Sequence, residues 1–380
     1  MEGSPGPARA AGWRCKGDTL DTIQSWINVL FRPQVMTAVS ILGLLTFCKY
    51  RKFCTQNKIM SGVILGFPIF FFALSAMEEN FWIQFRRPDN VPISFMLWFV
   101  VFFIWLAMKK AVANDERIAK GLVVHEAEPE EEEKVFVWPD LVYTEIICVL
   151  LVSILLVAWS ILIPAPLEEP ANPQLTPNPS KAPWYFLGLQ EILVYFDPWL
   201  AGVLIPTFII IGLVAIPYID PNPKGNGYYT FAERRNEIFI FLFGFVILWV
   251  LLVFQGTFLR GPNWNFYGPY EYWDVHKVVP LTNVNLSEFI WARLLGVGMP
   301  GFWLVREIFG LLLIGLYFVV LPVLLAKTIW KKFYVQMGLL PYVIGSHLML
   351  WMLLVPIKMY LRWTVNLKYF VAIPEFFLNI

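Results

Sequence analysis

Residues 164–183 read PAPLEEPANPQLTPNPSKAP and are followed at once by Trp184-Tyr185-Phe186-Leu187-Gly188-Leu189-Gln190-Glu191. Seven of those twenty residues are proline. Proline fixes φ and removes a backbone donor, so the stretch is neither helix nor central strand but a stiff, extended strap. Long apolar runs flank it on both sides. The strap therefore lies at a membrane face, and it holds the segment behind it, a short interfacial helix expected over 184–196, in one position against the bilayer.

Composition sets the class. Hydrophobic residues make up 58% of the 380, aromatic residues 17% and charged residues only 15%, where a soluble domain carries roughly 25% charged. A hydrocarbon core of about 30 Å needs about 20 apolar residues per helix. Runs approaching or reaching that length lie near 34–48, 59–77, 91–108, 141–163, 199–219, 238–259, 308–330 and 337–357. The expected fold is all-α, a polytopic integral membrane protein of about eight transmembrane helices plus the interfacial helix. Residues 1–32 are polar and lack the apolar core and small-residue site of a cleaved secretory signal.

Lysine and arginine gather on the cytoplasmic side of a membrane protein. Taken alternately, the connections 49–58, 109–140, 220–235 and 327–335 hold fifteen basic residues, whereas 78–90, 164–183 and 260–304 hold six. The strap is thus expected on the outer, positive side of an energy-transducing membrane of prokaryotic type. The acidic run EAEPEEEE at 126–133 belongs to a cytoplasmic connection and reads as a solvated linker.

Several chemistries are excluded. A formal net charge of +1 supports no nucleic-acid binding. Cys15, Cys48, Cys54 and Cys148 form no Cys-x-x-Cys pair, so no zinc ribbon, iron–sulfur ladder or c-type haem attachment is encoded, and no metal site is expected. Histidine is limited to His125, His276 and His347. A b haem between helices takes two facing imidazoles and a two-haem bundle takes four, a set these three scattered residues do not supply.

From Trp138 onward the order of motifs is specific. Pro139-Asp140-Leu141 opens a span; Glu169-Pro170-Ala171-Asn172-Pro173, Thr176-Pro177 and Ala182-Pro183-Trp184-Tyr185-Phe186 follow, and then a second span. This resembles the C-terminal half of cytochrome b, the separate subunit IV of cytochrome b6f-type complexes, over about residues 138–259. The resemblance implies a subunit of a quinol:cytochrome c-type oxidoreductase, with quinol as substrate. It also implies partners: a cytochrome b N-terminal-type subunit carrying the b haems, a Rieske protein with its 2Fe–2S cluster, a c-type cytochrome, and a dimeric complex in lipid.

In the family, the strap side carries the quinol-oxidation site, and a tetrad Pro-Glu-Trp-Tyr supplies a glutamate that takes a proton from quinol. Here Pro183 stands in that glutamate's place and has no proton to exchange, a change that suits a low-potential menaquinol. The nearest acid is Glu191. At 100° per residue it falls about 20° from Trp184 and about 60° from Gly188, on one helix face. Two readings stay open for it: the replacement proton acceptor, or an interfacial carboxylate capped by an arginine or water. By resemblance, Tyr185 borders the quinol, together with Trp184, Pro183 and Phe186. Tyr185 also suits an aromatic belt, and Trp184 suits packing. Glu169 anchors the loop or forms a proton exit, and Asp197 caps the following span.

His347 lies within the last span, where an ionisable group is a functional candidate. It is either a satisfied packing residue, a lone axial haem ligand or a proton relay. The boundaries expected are an N-terminal three-span module with its acidic linker at 1–137, the cytochrome b C-terminal-like region at 138–259, an outer aromatic loop at 260–304, and two spans with a tail at 305–380. The competing function class is a non-redox scaffold or transporter subunit that keeps the fold. Transporters tend to carry internal repeats and paired broken helices, and no repeat relates the halves of this chain.

Overall fold

The computed structural model describes residues 18–127, 136–163, 170, 172–174, 176–222, 227–280 and 282–380. Glu169 and most of the acidic run lie outside the described residues. The chain begins with α1 (Asp18–Leu30) and α2 (Pro33–Lys49), which meet at a 71° bend. Pro33 opens α2, where a missing N–H costs nothing because the first turn has no acceptor for it. After α3 (Arg51–Gln56) comes α4 (Lys58–Ser75), capped by the Asn57 side chain, which accepts from the N–H groups of Ile59 and Met60 at 2.9 and 3.0 Å. Then follow α5 (Glu79–Phe85), α6 (Asn90–Ala119), α7 (Val137–Leu162), α8 (Leu187–Ile192), α9 (Leu200–Ile219) and α10 (Arg235–Leu259). The chain closes with α11 (Ile308–Lys327), α12 (Lys331–Met337) and α13 (Leu339–Val365), then a two-stranded antiparallel ribbon of β1 (Ala372–Ile373) and β2 (Leu378–Asn379).

Among the described residues seven helices, α4, α6, α7, α9, α10, α11 and α13, are long and apolar enough to cross a membrane, and the bent pair α1–α2 makes eight if counted as one span. Packing tells where α2 goes. At one end Asn28 of α1 accepts from the Tyr270 N–H at 3.1 Å, and Gln24 donates to Glu78 at 3.1 Å. At the other, Cys48 of α2 is buried with Met108, Ala111, Phe231 and Leu242. The connections that charge separates into two sets are separated in space as well. A strap end gathers 75–90, 176–199, 260–280 and the C-terminal tail; a basic end gathers 48–58, 108–127 and 227–235.

The larger core lies toward the strap end, where Ile192, Tyr195, Phe196, Leu200, Leu252, Leu354, Met359, Leu367 and Phe370 bury one another. It joins α8, the start of α9, α10, α13 and the tail. By contrast, α7 buries no residue of its apolar stretch against the rest of the chain. Its apolar surface faces outward all round, as in a helix that meets lipid or another subunit.

Three elements depart from their expected lengths, each for a local reason. The helix expected to end near 108 runs on to Ala119, because its polar end binds the 229–232 segment: Asp115 accepts from Thr230 Oγ1 at 2.7 Å and from the N–H groups of Phe231 and Ala232 at 3.0 Å. The last span does not stop near Ile357 but continues to Val365, since Lys358 Nζ finds the Lys368 carbonyl at 2.6 Å and Arg362 reaches Asn283 at 2.7 Å. The interfacial helix is shorter than 184–196: one tight turn at Trp184–Phe186 leads into α8, which ends at Ile192. Beyond it the Lys368 ammonium donates to the Val194 carbonyl at 3.2 Å, a cation placed at a helix C-terminus.

The tail is fitted against α11 at Gly310, where a Cβ would overlap the Phe370 carbonyl oxygen and come within 2.8 Å of Val371 Cγ2. Overpacking of this kind costs about 1–3 kcal/mol. Gly310→Ala is expected to speed amide exchange across 366–380 roughly tenfold or more, measured by hydrogen–deuterium exchange, while the membrane helices keep their protection. Unchanged exchange in the tail would contradict this packing.

Candidate functional site

The helix behind the strap is seated by small residues. Gly188 of α8 lies against Trp249 and Val253 of α10, with 3.5 Å between its Cβ position and the nearest side-chain atoms. Gly256 of α10 faces Leu187 and Glu191 at 3.4 Å. The two backbones approach closely because neither position carries a side chain, and the approach puts Glu191 inside the protein. Trp184, Gly188 and Glu191 all meet α10, with the Trp184 and Trp249 rings 6.1 Å apart.

Glu191 is completely buried, and Arg260, 5% exposed, is its partner. Arg260 Nε donates to Oε1 at 2.8 Å and to Oε2 at 3.1 Å, and Nη2 donates to Oε2 at 3.0 Å. The remaining nitrogen, Nη1, donates to the Trp264 carbonyl at 2.6 Å, and the guanidinium stacks 3.6 Å from the centre of the Phe266 ring. A planar guanidinium forked onto a carboxylate is among the stronger and more directional polar contacts. Arg260 follows the last residue of α10, so this pair ties the interfacial helix, the end of a span and the 261–270 loop together.

The strap is held by side chains on both sides. Gln190 accepts from the Ala182 N–H at 2.8 Å and donates to the Ser180 carbonyl at 3.0 Å, an amide that pins the strap to the helix following it. Asn178 and Asn263 exchange two hydrogen bonds, 2.9 Å between side chains and 2.6 Å from the Asn263 N–H. Lys181 donates to the Thr257 carbonyl at 2.8 Å and lies over the Trp273 ring at 4.9 Å. Beyond the end of α8, Asp197 accepts from Asn379 at 3.0 Å and from the Tyr369 hydroxyl at 3.3 Å, so the tail braces the segment that leads from α8 to α9.

The expected site residues fall into two groups. Pro183 precedes the helical turn, its carbonyl accepting from the Phe186 N–H at 2.9 Å, and Trp184, Tyr185 and Phe186 present partly exposed rings. Glu191 is with Trp184 against α10 and not with Tyr185 and Phe186. It lies inside the protein, engaged by Arg260, whereas the Tyr185 and Phe186 rings are partly exposed. Glu169 lies outside the described residues. His347 stands apart in α13, its Nδ1 2.8 Å from the Val343 carbonyl and its ring stacked on Phe318.

Among the described residues no group of three or more His, Cys, Asp or Glu side chains could hold a metal ion. His125 lies at the basic end, where its N–H donates to Asn114, and no second imidazole faces His347. Two contributors to the site escaped the sequence reading. The only signal for Arg260 is that it closes an apolar run, and Lys181 is the one cation in the strap.

Lys181 lies outside the spans and is pushed down to about 7 from 10.5, chiefly by burial and then by the neighbouring Arg87, with Glu191 and Asp89 working the other way and Arg260 adding to the fall. Between about 7 and 10.5 the unfolded chain binds this proton and the folded chain does not, so the Lys181 contribution to stability rises with pH across that window. The thermal unfolding midpoint of the wild type, relative to Lys181→Met, is expected to climb from pH 7 to about pH 10. Parallel curves would contradict the burial of this ammonium.

No solved structure matches the chain. A family model does: the one described as cytochrome b (C-terminal)/b6/petD matches residues 170–270. That interval begins in the strap, contains α8, α9, α10 and both members of the Glu191–Arg260 pair, and ends at Tyr270, whose hydroxyl meets Ser75 at 2.7 Å. The stretch from strap to aromatic loop thus matches the cytochrome b (C-terminal)/b6/petD family, within a mainly helical membrane protein that has further candidate spans before and after it.

Proposed function

We propose that the chain is a subunit of a bc/b6f-type complex and forms part of the wall of its quinol-oxidation site on the positive side of the membrane. The observation that carries this reading is the coincidence of two intervals. The family match spans 170–270, and the same interval carries the bonded assembly of strap, α8 and loop that presents Trp184, Tyr185 and Phe186. Orientation rests on the excess of lysine and arginine in the connections of the basic end. Electrons from quinol pass to groups held by partner chains: the b haems of a cytochrome b N-terminal-type subunit and the 2Fe–2S cluster of a Rieske protein, with a c-type cytochrome beyond. The bare apolar surface of α7 is a surface such a neighbour covers.

Within this chain, the rings of Tyr185 and Phe186 border the quinol head, and Pro183 shapes the turn without exchanging a proton. Of the two readings open for Glu191, proton acceptor or carboxylate capped by an arginine, we propose the second, a positioning role. Its two oxygens are engaged by Arg260 and it is completely buried, whereas the Tyr185 ring is partly exposed. A proton acceptor must reach the hydroxyl it deprotonates by a hydrogen bond or through one water. The divisions we favour are an N-terminal module at 1–137, the family-type region at 138–259, an outer loop at 260–304, and a C-terminal pair of spans with its bracing tail at 305–380. Glu169 remains the proposed anchor of the strap, and His347 a packing residue.

The test is purification of the native complex through a tag on this chain, with a reduced-minus-oxidised optical spectrum and a subunit inventory. Bands of b-type haem, a Rieske signal and a c-type cytochrome are expected. Tyr185→Ala is expected to lower quinol turnover by up to about tenfold, the scale of one lost aromatic contact, with the spectrum unchanged. A complex without b haem would sink this reading and favour a non-redox scaffold.

A further inference from the structure

Away from the strap, at the basic end, a cavity of about 600 Å³ is lined by Leu45, Cys48, Lys49, Arg51, Phe231, Ala232, Arg235 and Phe239. Three of these side chains are cations and none is acidic. The acids nearby are already engaged. Asp115 accepts from Thr230, Phe231 and Ala232 and faces Arg51 Nε at 3.9 Å; Asp220 and Glu237 pair with Arg234 at 2.6 and 3.9 Å; Glu116 pairs with Lys52 at 3.1 Å. Among the described residues Lys49 and Arg235 have neither a hydrogen bond nor an ion pair. Each only overlies an aromatic ring, Tyr50 at 5.4 Å and Phe239 at 5.8 Å. Arg51 lies over Phe231 at 4.2 Å.

Position decides what such a cavity takes. Lys49 is the last residue of α2 and Arg235 the first of α10, so the cations mark the water-facing rim of two helices that run into the bilayer. Below them Leu45 and Phe239 continue the cavity as an apolar wall along those same helices. A ligand that satisfies both parts is an amphiphile with an anionic phosphate at its head and acyl chains below it. A soluble phosphate would meet the cations and leave the apolar wall unused.

We propose that this cavity is a binding site for an anionic phospholipid, whose phosphate is held by Lys49, Arg51 and Arg235 and whose chains lie along Leu45 and Phe239. Basic recesses between transmembrane helices on the cytoplasmic side are suited to such headgroups. The lipid would bridge α2, outside the family-matching stretch, to α10, inside it. The proposal is independent of the quinol reading, because it uses none of the residues of the strap end.

The experiment uses the full chain in its native complex, purified in mild detergent. Bound lipid is counted by native mass spectrometry after exchange into phosphatidylcholine alone, phosphatidylglycerol with phosphatidylcholine, or phosphatidylcholine with inorganic phosphate. Retention of phosphatidylglycerol by the wild type is expected, and the Lys49→Gln/Arg235→Gln double variant is expected to retain it roughly thirtyfold less tightly. Lys49→Arg/Arg235→Lys keeps both charges and is expected to retain the lipid. Equal retention of phosphatidylcholine, or displacement of phosphatidylglycerol by inorganic phosphate, would overturn the proposal. The wild-type comparison alone decides this if the double variant does not fold.

Discussion

The bidentate pair between Glu191 and Arg260 is the contact on which the strap end depends. A carboxylate inside an apolar helix contact is costly unless it is paired and fully hydrogen-bonded, and the chain meets that condition with a guanidinium that directly follows the span α10. The same guanidinium has its other donor on the Trp264 carbonyl and its face on Phe266. One cation therefore sets the seat of α8, the end of α10 and the turn into the outer loop. Gly188 and Gly256 make the seat close enough for the pair to form.

Around that pair the strap end is cross-braced, whereas the spans are packed lightly. Gln190, Asn178 and Lys181 fasten the strap. From the other side the tail contributes Tyr369 and Asn379 to Asp197, and Lys368 to the carbonyl at 194. Rigid placement of α8 from two directions is what a surface that must present Trp184, Tyr185 and Phe186 to a reacting ligand requires, since small displacements from productive geometry are expensive in rate. The spans outside the family-matching stretch thus have a mechanical reason to be there: α11 and α13 carry the tail, and α2 closes on α10.

Much of this architecture was legible in the sequence, because hydrophobic runs long enough to span a bilayer have few alternatives to helix. The strap announced itself through its prolines, and three of the four basic connections lie together at the end away from it. What stayed hidden depends on partners distant along the chain. Glu191 and Arg260 are 69 residues apart, and only the contact of α8 with α10 joins them. Lys358 looked like the end of the last span, but the helix continues because the tail returns a carbonyl to its ammonium. Asn114 and Asp115 likewise extend α6 by binding a loop more than a hundred residues away. In each case an ionisable or polar residue that ends an apolar run by composition is satisfied by a tertiary contact that composition does not encode.

The most direct measurement of this account is a double-mutant cycle on Glu191 and Arg260, read as unfolding free energy of the purified complex and as protease access to 176–183. Removing either partner alone leaves a buried charge without its counter-ion and is expected to cost about 3–5 kcal/mol, and to open the strap to cleavage. Removing both, as Glu191→Leu with Arg260→Met, is expected to cost much less than the sum of the two. If the two losses simply add, or if the strap stays protected in every variant, the pair does not hold this end of the protein together.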